Sequence, residues 1–176
     1  NKSGGWLTKT IKILPTLIRD TREKAGQGWQ WNKTLEISGT IDKKLDYADY
    51  SIEGLEDRFV IERKGSAGEL INNLFSADKN RFLRELETLG KFERAWIVCE
   101  FTLDDVARQI AQIANIKWYK KKQVAFITMK KFLGFIASLS IKYRVEFIFA
   151  GQFHGKELSK RLLLKAYKHG ADNKTT

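Results

Sequence analysis

The chain has 176 residues, and its 32 Lys and Arg against 21 Asp and Glu give a formal net charge of +11. This length predicts a single domain over residues 1–176 with its core at 11–168, and the basic surplus predicts a polyanionic partner rather than only a soluble basic surface. The composition excludes an internal disulfide framework, a zinc site and a membrane span, because the chain has one Cys, two isolated His and no apolar run of ~18 residues.

The first predicted strand covers residues 11–18, an apolar run. Asp20 and Glu23 follow directly on the strand end, where α/β proteins commonly place functional sites. Two tryptophans, Trp29 and Trp31, lie in the turn-like segment that comes next. They could stack on a base or a sugar, although such residues more often cover the edge of a core.

Two further extended segments are predicted at residues 34–41 and 47–52. Residues 53–57 contain a glycine and predict a hairpin loop. The apolar start of residues 59–64 predicts the strand that follows.

The register of this hairpin decides which acids come together. We expect the hairpin to pair Ile52 with Arg58. Asp49 then falls opposite Ile61, one position from Glu62, with opposed Cβ atoms about 5 Å apart. The two acids would lie close enough to share one cation.

The strand at 59–64 reads Phe-Val-Ile-Glu-Arg-Lys, and its charged end organises the rest of the chain. Successive strand side chains point to opposite faces, so Glu62 and Lys64 share one face and Arg63 lies on the other. An acid and a lysine at the end of an apolar strand suit a divalent metal beside a phosphate. The alternative is a surface strand that carries a weak ion pair.

The rest of the chain alternates helices and strands. Helices are predicted at 69–75, at 78–89, where Gly90 ends the helix, and at 156–168. A capping box of Thr102 and Asp105 predicts the start of another helix. A further helix is predicted to begin at Thr128, with an inner face of Phe132, Leu133, Ile136 and Leu139. Strands are predicted at 94–101, where Cys99 is buried, and at 144–150.

Two basic groups are candidate contacts for the phosphates of a nucleic acid. Residues 117–122 form a predicted loop that mixes lysines with aromatic residues. Such a loop can bind a phosphate backbone while its rings stack on bases, or it can be a charged segment exposed to solvent. Its candidate contacts are Lys117, Trp118, Lys120, Lys121 and Lys122. Lys130 and Lys131 lie in the first turn of the helix that Thr128 caps, where the helix end also attracts anions.

Three motifs follow one another in the chain: Asp20-Thr21-Arg22-Glu23, Ala48-Asp49-Tyr50-Ser51 and Ile61-Glu62-Arg63-Lys64. Their order resembles the XPF-type (ERCC4 domain) nuclease, a branch of the PD-(D/E)XK restriction-endonuclease-like superfamily, whose signature runs Asp-x-Arg-Glu, Gly-Asp-Tyr and Glu-Arg-Lys-x-x-x-Asp. Arg81-Phe82, Glu85-Leu86, Glu100 and Tyr143-Arg144-Val145 also look like phage and bacterial members. The resemblance covers residues 14–168.

The resemblance implies an α/β fold with a restriction-endonuclease-like core, in which helices flank a central mixed β-sheet. It also implies structure-dependent cleavage of DNA with Mg²⁺ or Mn²⁺. We hypothesise that Asp49 and Glu62 are the main metal ligands and that Asp20 and Glu23 complete or support the shell. Lys64 would orient the attacking water or neutralise charge.

The two arginines of the motifs, Arg63 and Arg22, would hold a phosphate or brace the acids. The sequence departs from the family at two places: Ala48 replaces the usual glycine, and Gly68 stands where the family has aspartate. Glu69, one position later, is a possible substitute for that aspartate.

The expected partner is DNA, with a homodimer or a partner protein as a further possibility. The expected setting is intracellular, in a bacterial or phage-infected cytoplasm rather than a nucleus. Flaps, forks, junctions, duplex and single strands are all open as substrates. A DNA-binding module that keeps the fold without cleavage, and a structural protein in which the motifs are coincidence, are the competing interpretations.

Overall fold

The computed structural model describes residues 13–23, 26–119 and 127–172, with the backbone alone described at 115–119 and 171–172. In this part of the chain, helices flank a six-stranded mixed sheet, and the predicted α/β fold is confirmed. The strands are β1 Thr16–Arg19, β2 Gly39–Asp42, β3 Tyr50–Ile52, β4 Phe59–Lys64, β5 Arg94–Cys99 and β6 Glu146–Phe149. The helices are α1 Ala67–Phe75, α2 Lys79–Leu89, α3 Leu103–Tyr119, α4 Met129–Tyr143 and α5 Gly151–Asp172.

The strand order is β2-β1-β3-β4-β5-β6. Strands β4, β5 and β6 are mutually parallel, β1 and β2 are parallel, and β3 runs antiparallel to both β1 and β4. The carboxyl ends of β1, β4, β5 and β6 and the amino end of β3 therefore lie at one edge of the sheet. Asp20, Asp49 and the charged end of β4 meet at this edge.

Each face of the sheet has its own apolar core. On one face, Val60 and Ile97 pack with side chains of α1, α2, α3 and α4. On the other, Ile61 and Val98 pack with Leu163 of α5 and with the segment before β2. Both faces of the central strands are covered, as their unbroken apolar sequence predicts.

The segment before β2 contributes two aromatics to the second core. Trp29 and Trp31 are buried around Tyr50, with 5.0 Å between the ring centroids of Trp29 and Tyr50. Both tryptophans therefore pack in the core, which was one of the two roles expected for them, and neither ring is free to stack on a base.

Several predicted boundaries were wrong by a few residues or more. Strand β2 covers only the end of the predicted 34–41, and α5 begins at Gly151 rather than at 156. Leu133, placed on the inner side of α4, is 44% exposed, because the buried stripe of that helix is narrower than the sequence suggested. The capping box of Thr102 and Asp105 is confirmed by two reciprocal hydrogen bonds. None of the described helices is both long and apolar enough to cross a membrane.

The ends of α2 and α4 meet at the edge of the sheet opposite the acids. A Cβ on Gly90, which ends α2 as predicted, would collide with the backbone oxygen of Tyr143. Arg144, the C-cap of α4, has a φ of 58° in the left-handed region, where a side chain strains the backbone. Gly90 is thus required for close approach, and Arg144 occupies a position that glycine prefers.

We predict that Arg144→Gly raises the free energy of unfolding by about 1 kcal/mol, because glycine enters the left-handed region without strain. The melting temperature should rise by about 2–4 °C. Gly90→Ala, the matched control at the facing helix end, should lower it. Thermal denaturation followed by circular dichroism measures both, and a fall with Arg144→Gly would contradict the prediction.

Candidate active site

Backbone pairing brings the three acidic motifs to one place. The Asp20 N–H donates to the Asp49 carbonyl at 2.8 Å, and the Asp49 N–H donates to the Ile61 carbonyl at 3.0 Å. Tyr50 pairs with Ile61 and not with Val60, so the expected register was wrong by one residue at this position. The Asp49 N–H nevertheless bonds to Ile61, so Asp49 lies at the position next to Glu62.

Ala48 positions Asp49 through an uncommon backbone conformation. Its φ is 66°, in the left-handed region that L-residues with a side chain rarely adopt. The glycine that the family resemblance led us to expect at this position would enter this conformation without strain. The fold holds the strained alanine because the next residue, Asp49, is bonded into the sheet through both its N–H and its carbonyl.

Asp49 and Glu62 are carboxylates whose environment disfavours their charge. Burial raises the pKa of Asp49 to about 6, and the nearby Glu23 charge adds to the rise, against an opposing hydrogen bond of 2.7 Å from the Arg63 N–H. Burial also raises the pKa of Glu62 well above its usual range, with the Asp49 and Glu85 charges adding to it. This pair of acids is short of positive charge.

Lys64 lies on the same face as Glu62, as predicted, and is almost fully buried. Its Nζ is 2.9 Å from the Glu62 Oε1 and 3.5 Å from carboxylate oxygens of Glu69 and Glu85. Burial lowers the pKa of Lys64, but the surrounding carboxylates outweigh it and hold the pKa above its usual value. Lys64 is therefore a fixed cation rather than a proton acceptor.

Arg63 lies on the opposite face and is held from both ends. Its Nη1 donates to the Glu100 Oε2 at 2.6 Å, and its Nε donates to the Glu23 Oε2 at 3.2 Å. The same two acids are tied to the aromatic core, since Trp29 Nε1 donates to Glu100 at 2.6 Å and the Tyr50 hydroxyl donates to Glu23 at 3.3 Å. This network anchors Arg63 to the sheet.

Asp20 is a buried carboxylate whose oxygens are already occupied. It accepts hydrogen bonds from the Arg22 side chain at 2.7 Å and from the Leu45 N–H at 2.6 Å. Burial raises the pKa of Asp20, but these hydrogen bonds outweigh it and hold the pKa below its usual value. Asp20 therefore holds the loop before β3 in place, and Arg22, 59% exposed, reaches from it toward the cleft.

These side chains surround an open cleft of about 610 Å³, which we call the active-site cleft. Six of the predicted site residues line it: Arg22, Glu23, Asp49, Glu62, Arg63 and Glu69. Within residues 13–23, 26–119 and 127–172, no group of three or more His, Cys, Asp or Glu is arranged to hold a metal ion. Of the acids that line the cleft, Glu23 and Glu100 are bound by the Arg63 side chain, whereas Glu62 and Glu69 contact Lys64 and Asp49 accepts from the Arg63 N–H.

Two residues of the site were not singled out for a role from the sequence. Glu85 of α2 forms an ion pair with Lys64, and Glu100, just after β5, forms an ion pair with Arg63. Both belong to sequence segments that look like the family, which was the available signal. Their roles follow from contacts between elements that lie far apart in the chain.

The predicted DNA contacts lie partly beyond the described residues. Lys120, Lys121 and Lys122 fall outside them. Positions 117 and 118 belong to α3 and not to a loop, about 20 Å along the helix from its start at the acidic edge. Their backbones continue the helix because no breaker interrupts it. Lys130 and Lys131 are exposed in the first turn of α4, as predicted.

No protein-family model and no curated protein sequence matches the chain. Among solved structures, XPF from Aeropyrum pernix matches with a TM-score of 0.52 at 17% identity, covering 88% of this chain and 65% of that one. The structure of XPF from Aeropyrum pernix in complex with DNA matches with a TM-score of 0.51 at 17% identity, covering 89% and 66%. The chain spans just under two thirds of these matched chains. These matches confirm an XPF-like fold, whereas the expected closeness to phage and bacterial members has no support in them.

Proposed function

We propose that the chain is a metal-dependent endonuclease that hydrolyses phosphodiester bonds in DNA, with selectivity for branched, flap or junction structures. One observation carries this proposal. Asp49, just before β3, and Glu62 of β4 line the same open cleft, with the buried ammonium of Lys64 2.9 Å from Glu62. Two acids and an amine at a cleft are the groups that metal-assisted hydrolysis uses.

The donor set fits Mg²⁺, with Mn²⁺ as a substitute. Mg²⁺ binds proteins through one or two carboxylates and completes its shell with waters and substrate phosphates. Asp49 and Glu62 would hold the ion, and burial, which raises the pKa of both acids, is offset only in part by Lys64. When bound, the ion lowers the pKa of a coordinated water and polarises the phosphate.

The other acids of the motifs have supporting roles in this proposal. Glu23 holds Arg63 at the rim of the cleft, and Asp20 holds Arg22, so in this proposal both acids support the metal pair. Glu69 reaches Lys64 at 3.5 Å and orients the lysine. Glu69 therefore substitutes for the expected aspartate by supporting Lys64.

Lys64 and Arg22 are assigned to the phosphates of the DNA, and Arg63 to the structure of the site. The ammonium of Lys64 stays protonated and neutralises negative charge that builds up on the scissile phosphate. The half-exposed guanidinium of Arg22 is placed to contact a neighbouring phosphate. Arg63 keeps the backbone at the end of β4 rigid, because Glu23 and Glu100 bind it on both sides.

DNA as the substrate is supported by two further observations. The chain carries a net charge of +11, which favours a polyanion. Its fold is that of XPF, which has been solved in complex with DNA. The predicted contacts to the DNA phosphate backbone are still Lys117, Trp118, Lys120, Lys121, Lys122, Lys130 and Lys131.

A non-catalytic DNA-binding module is the second candidate. It is favoured by the absence, within the described residues, of a group of three acids or histidines that could bind a metal unaided. A plasmid-nicking assay with Mg²⁺, Mn²⁺ or EDTA separates the two candidates. Metal-dependent nicking supports the endonuclease, and intact plasmid at DNA concentrations that give full binding supports the module.

We predict that Asp49→Asn and Glu62→Gln each lower plasmid cleavage about 100-fold or more, because each removes one of the paired carboxylates. Saturating Mg²⁺ should raise the melting temperature of the native chain and not that of either variant. Asp46→Asn, at an exposed acid in the same loop, is the matched control and should behave as the native chain. Undiminished cleavage by both variants would refute the metal pair.

A second prediction concerns pH and stability without metal. Because the pKa of Asp49 rises from 3.8 to about 6 on folding, the folded chain binds this proton more tightly than the unfolded chain. The contribution of Asp49 to the free energy of unfolding therefore falls as pH rises from about 4 to about 6 and is constant above that. Asp49→Asn should be more stable than the native chain in EDTA at pH 7.5 and lose this advantage near pH 4. Denaturant unfolding across pH measures the difference, and an equal or larger advantage at pH 4 would contradict it.

A third prediction tests whether Lys64 acts in cleavage or in DNA binding. Lys64→Ala should lower the single-turnover cleavage rate about 100- to 1,000-fold, because a fixed charge beside the scissile phosphate is lost. DNA affinity in EDTA should change by less than about threefold. Lys43→Ala, which breaks a surface ion pair of 2.6 Å with Glu56, is the control. Equal losses of rate and affinity would show that Lys64 acts in binding.

A further inference from the structure

A second cleft of about 780 Å³ adjoins the active-site cleft. Gly65, Ser66 and Glu100 line both clefts, so the two are contiguous along the edge where β4, β5 and β6 end. The proposed roles of the site residues leave this second cleft unused. Crevices at the carboxyl ends of parallel strands are where α/β folds bind ligands.

An exposed aromatic ring lines the second cleft. Phe153, in the first turn of α5, is 88% exposed, although most aromatics of this chain lie in the cores. An exposed ring on a rigid helix at a cleft is a stacking platform for a planar group. Phe153 is too exposed to stabilise the fold, since its ring buries little apolar surface.

Carboxamide groups accompany the ring. Gln109 and Gln112 line the cleft from α3, and Gln152 lines it from the start of α5. A carboxamide both donates and accepts hydrogen bonds, so it can bind the edge of a nucleobase. Gln109 also lies beside Gly68, where an ideal Cβ would be 3.9 Å from the Gln109 Cδ. A side chain longer than Cβ at position 68 would extend toward this carboxamide.

Acidic side chains and the basic Arg108 and His154 together line the second cleft. Asp104 and Asp105 line its α3 wall, and Glu100 lies at the junction with the active-site cleft. Asp105 is engaged by Thr102 and by the guanidinium of Arg108. An uncharged base can bind among these mixed charges without the repulsion that a phosphate would meet at Asp104.

We propose that the second cleft is a subsite for an unpaired nucleotide of the DNA substrate, next to the scissile phosphate. Its base stacks on Phe153 and contacts the carboxamides, while its phosphate lies toward the active-site cleft. This inference rests on the proposed endonuclease function and refines its substrate class. The chain should prefer DNA with a single-stranded arm at the cleavage point, because a base held in duplex cannot reach the ring.

The test compares Phe153→Ala with the native chain in EDTA, where no cleavage occurs. Binding is measured by fluorescence anisotropy on labelled duplex and on the same duplex with a single-stranded arm. The variant should bind the armed DNA about tenfold more weakly, since stacking on one aromatic ring contributes that order of affinity. Its affinity for plain duplex should change by less than about twofold. Phe153→Tyr, which keeps the ring, should bind the armed DNA as the native chain does.

Leu35→Ala is the matched control, because Leu35 is 93% exposed and lines neither cleft. A 2-aminopurine in the arm beside the branch gives a second readout. Its fluorescence should be quenched by the native chain and by Phe153→Tyr, and not by Phe153→Ala. Unchanged affinity and quenching with Phe153→Ala, or an equal loss on armed DNA and plain duplex, would overturn the subsite.

The test also distinguishes failure of the subsite from failure of the proposed function. A native chain that quenches the probe through Phe153 but leaves all DNA intact with Mg²⁺ and Mn²⁺ keeps the subsite and loses the endonuclease. A chain that cleaves armed and plain DNA equally, with or without the ring of Phe153, keeps the endonuclease and loses the subsite.

Discussion

The antiparallel pairing of β3 with β4 is the constraint on which the site depends. The Asp49 N–H donates to the Ile61 carbonyl, and Asp49 accepts from the Arg63 N–H, so the carboxylate of Asp49 is fixed at the charged end of β4. A slip of one residue would turn Asp49 to the other face of the sheet. The left-handed conformation of Ala48 is tolerated because it delivers Asp49 in this register.

Two like charges held together at a sheet edge are unfavourable in isolation, and the rest of the site is arranged around them. On one face, Lys64 sits among Glu62, Glu69 and Glu85. On the other, Arg63 bridges Glu23 and Glu100, which the aromatic core fixes through Tyr50 and Trp29. Burial keeps the pKa values of Asp49 and Glu62 raised, because the nearby Lys64 offsets it only in part. In the proposed function, a bound cation would supply the remaining positive charge.

The topology explains why two clefts lie side by side. Strands β4, β5 and β6 are parallel, so the loops that follow them open on the same edge. The acids come from the β4 side and the exposed ring comes from the start of α5 after β6. Chemistry and substrate selection would then be divided between neighbouring loops of one rigid sheet. Neither cleft requires movement of the sheet itself.

The sequence determined the parts that local pattern controls. Alternation and apolar runs located β4 and β5, the capping box located the start of α3, and three ordered motifs indicated an XPF-like fold, as the structure confirms. These signals are local because strand faces, helix caps and motif spacing depend on near neighbours. The boundaries of β2 and α5, the exposure of Leu133 and the register of the hairpin were missed, since packing against distant elements sets them.

Only the tertiary structure decided what each charged residue contacts. Asp20 and Asp49 look alike in the sequence, yet one is satisfied by Arg22 and Leu45 and the other lines an open cleft together with Glu62. Glu85 and Glu100 join the site from α2 and β5, and Phe153 stands exposed beside it. Coulomb interactions and burial depend on distance in space rather than in sequence, so the chain fixes which charges are present while folding decides which of them are left uncompensated.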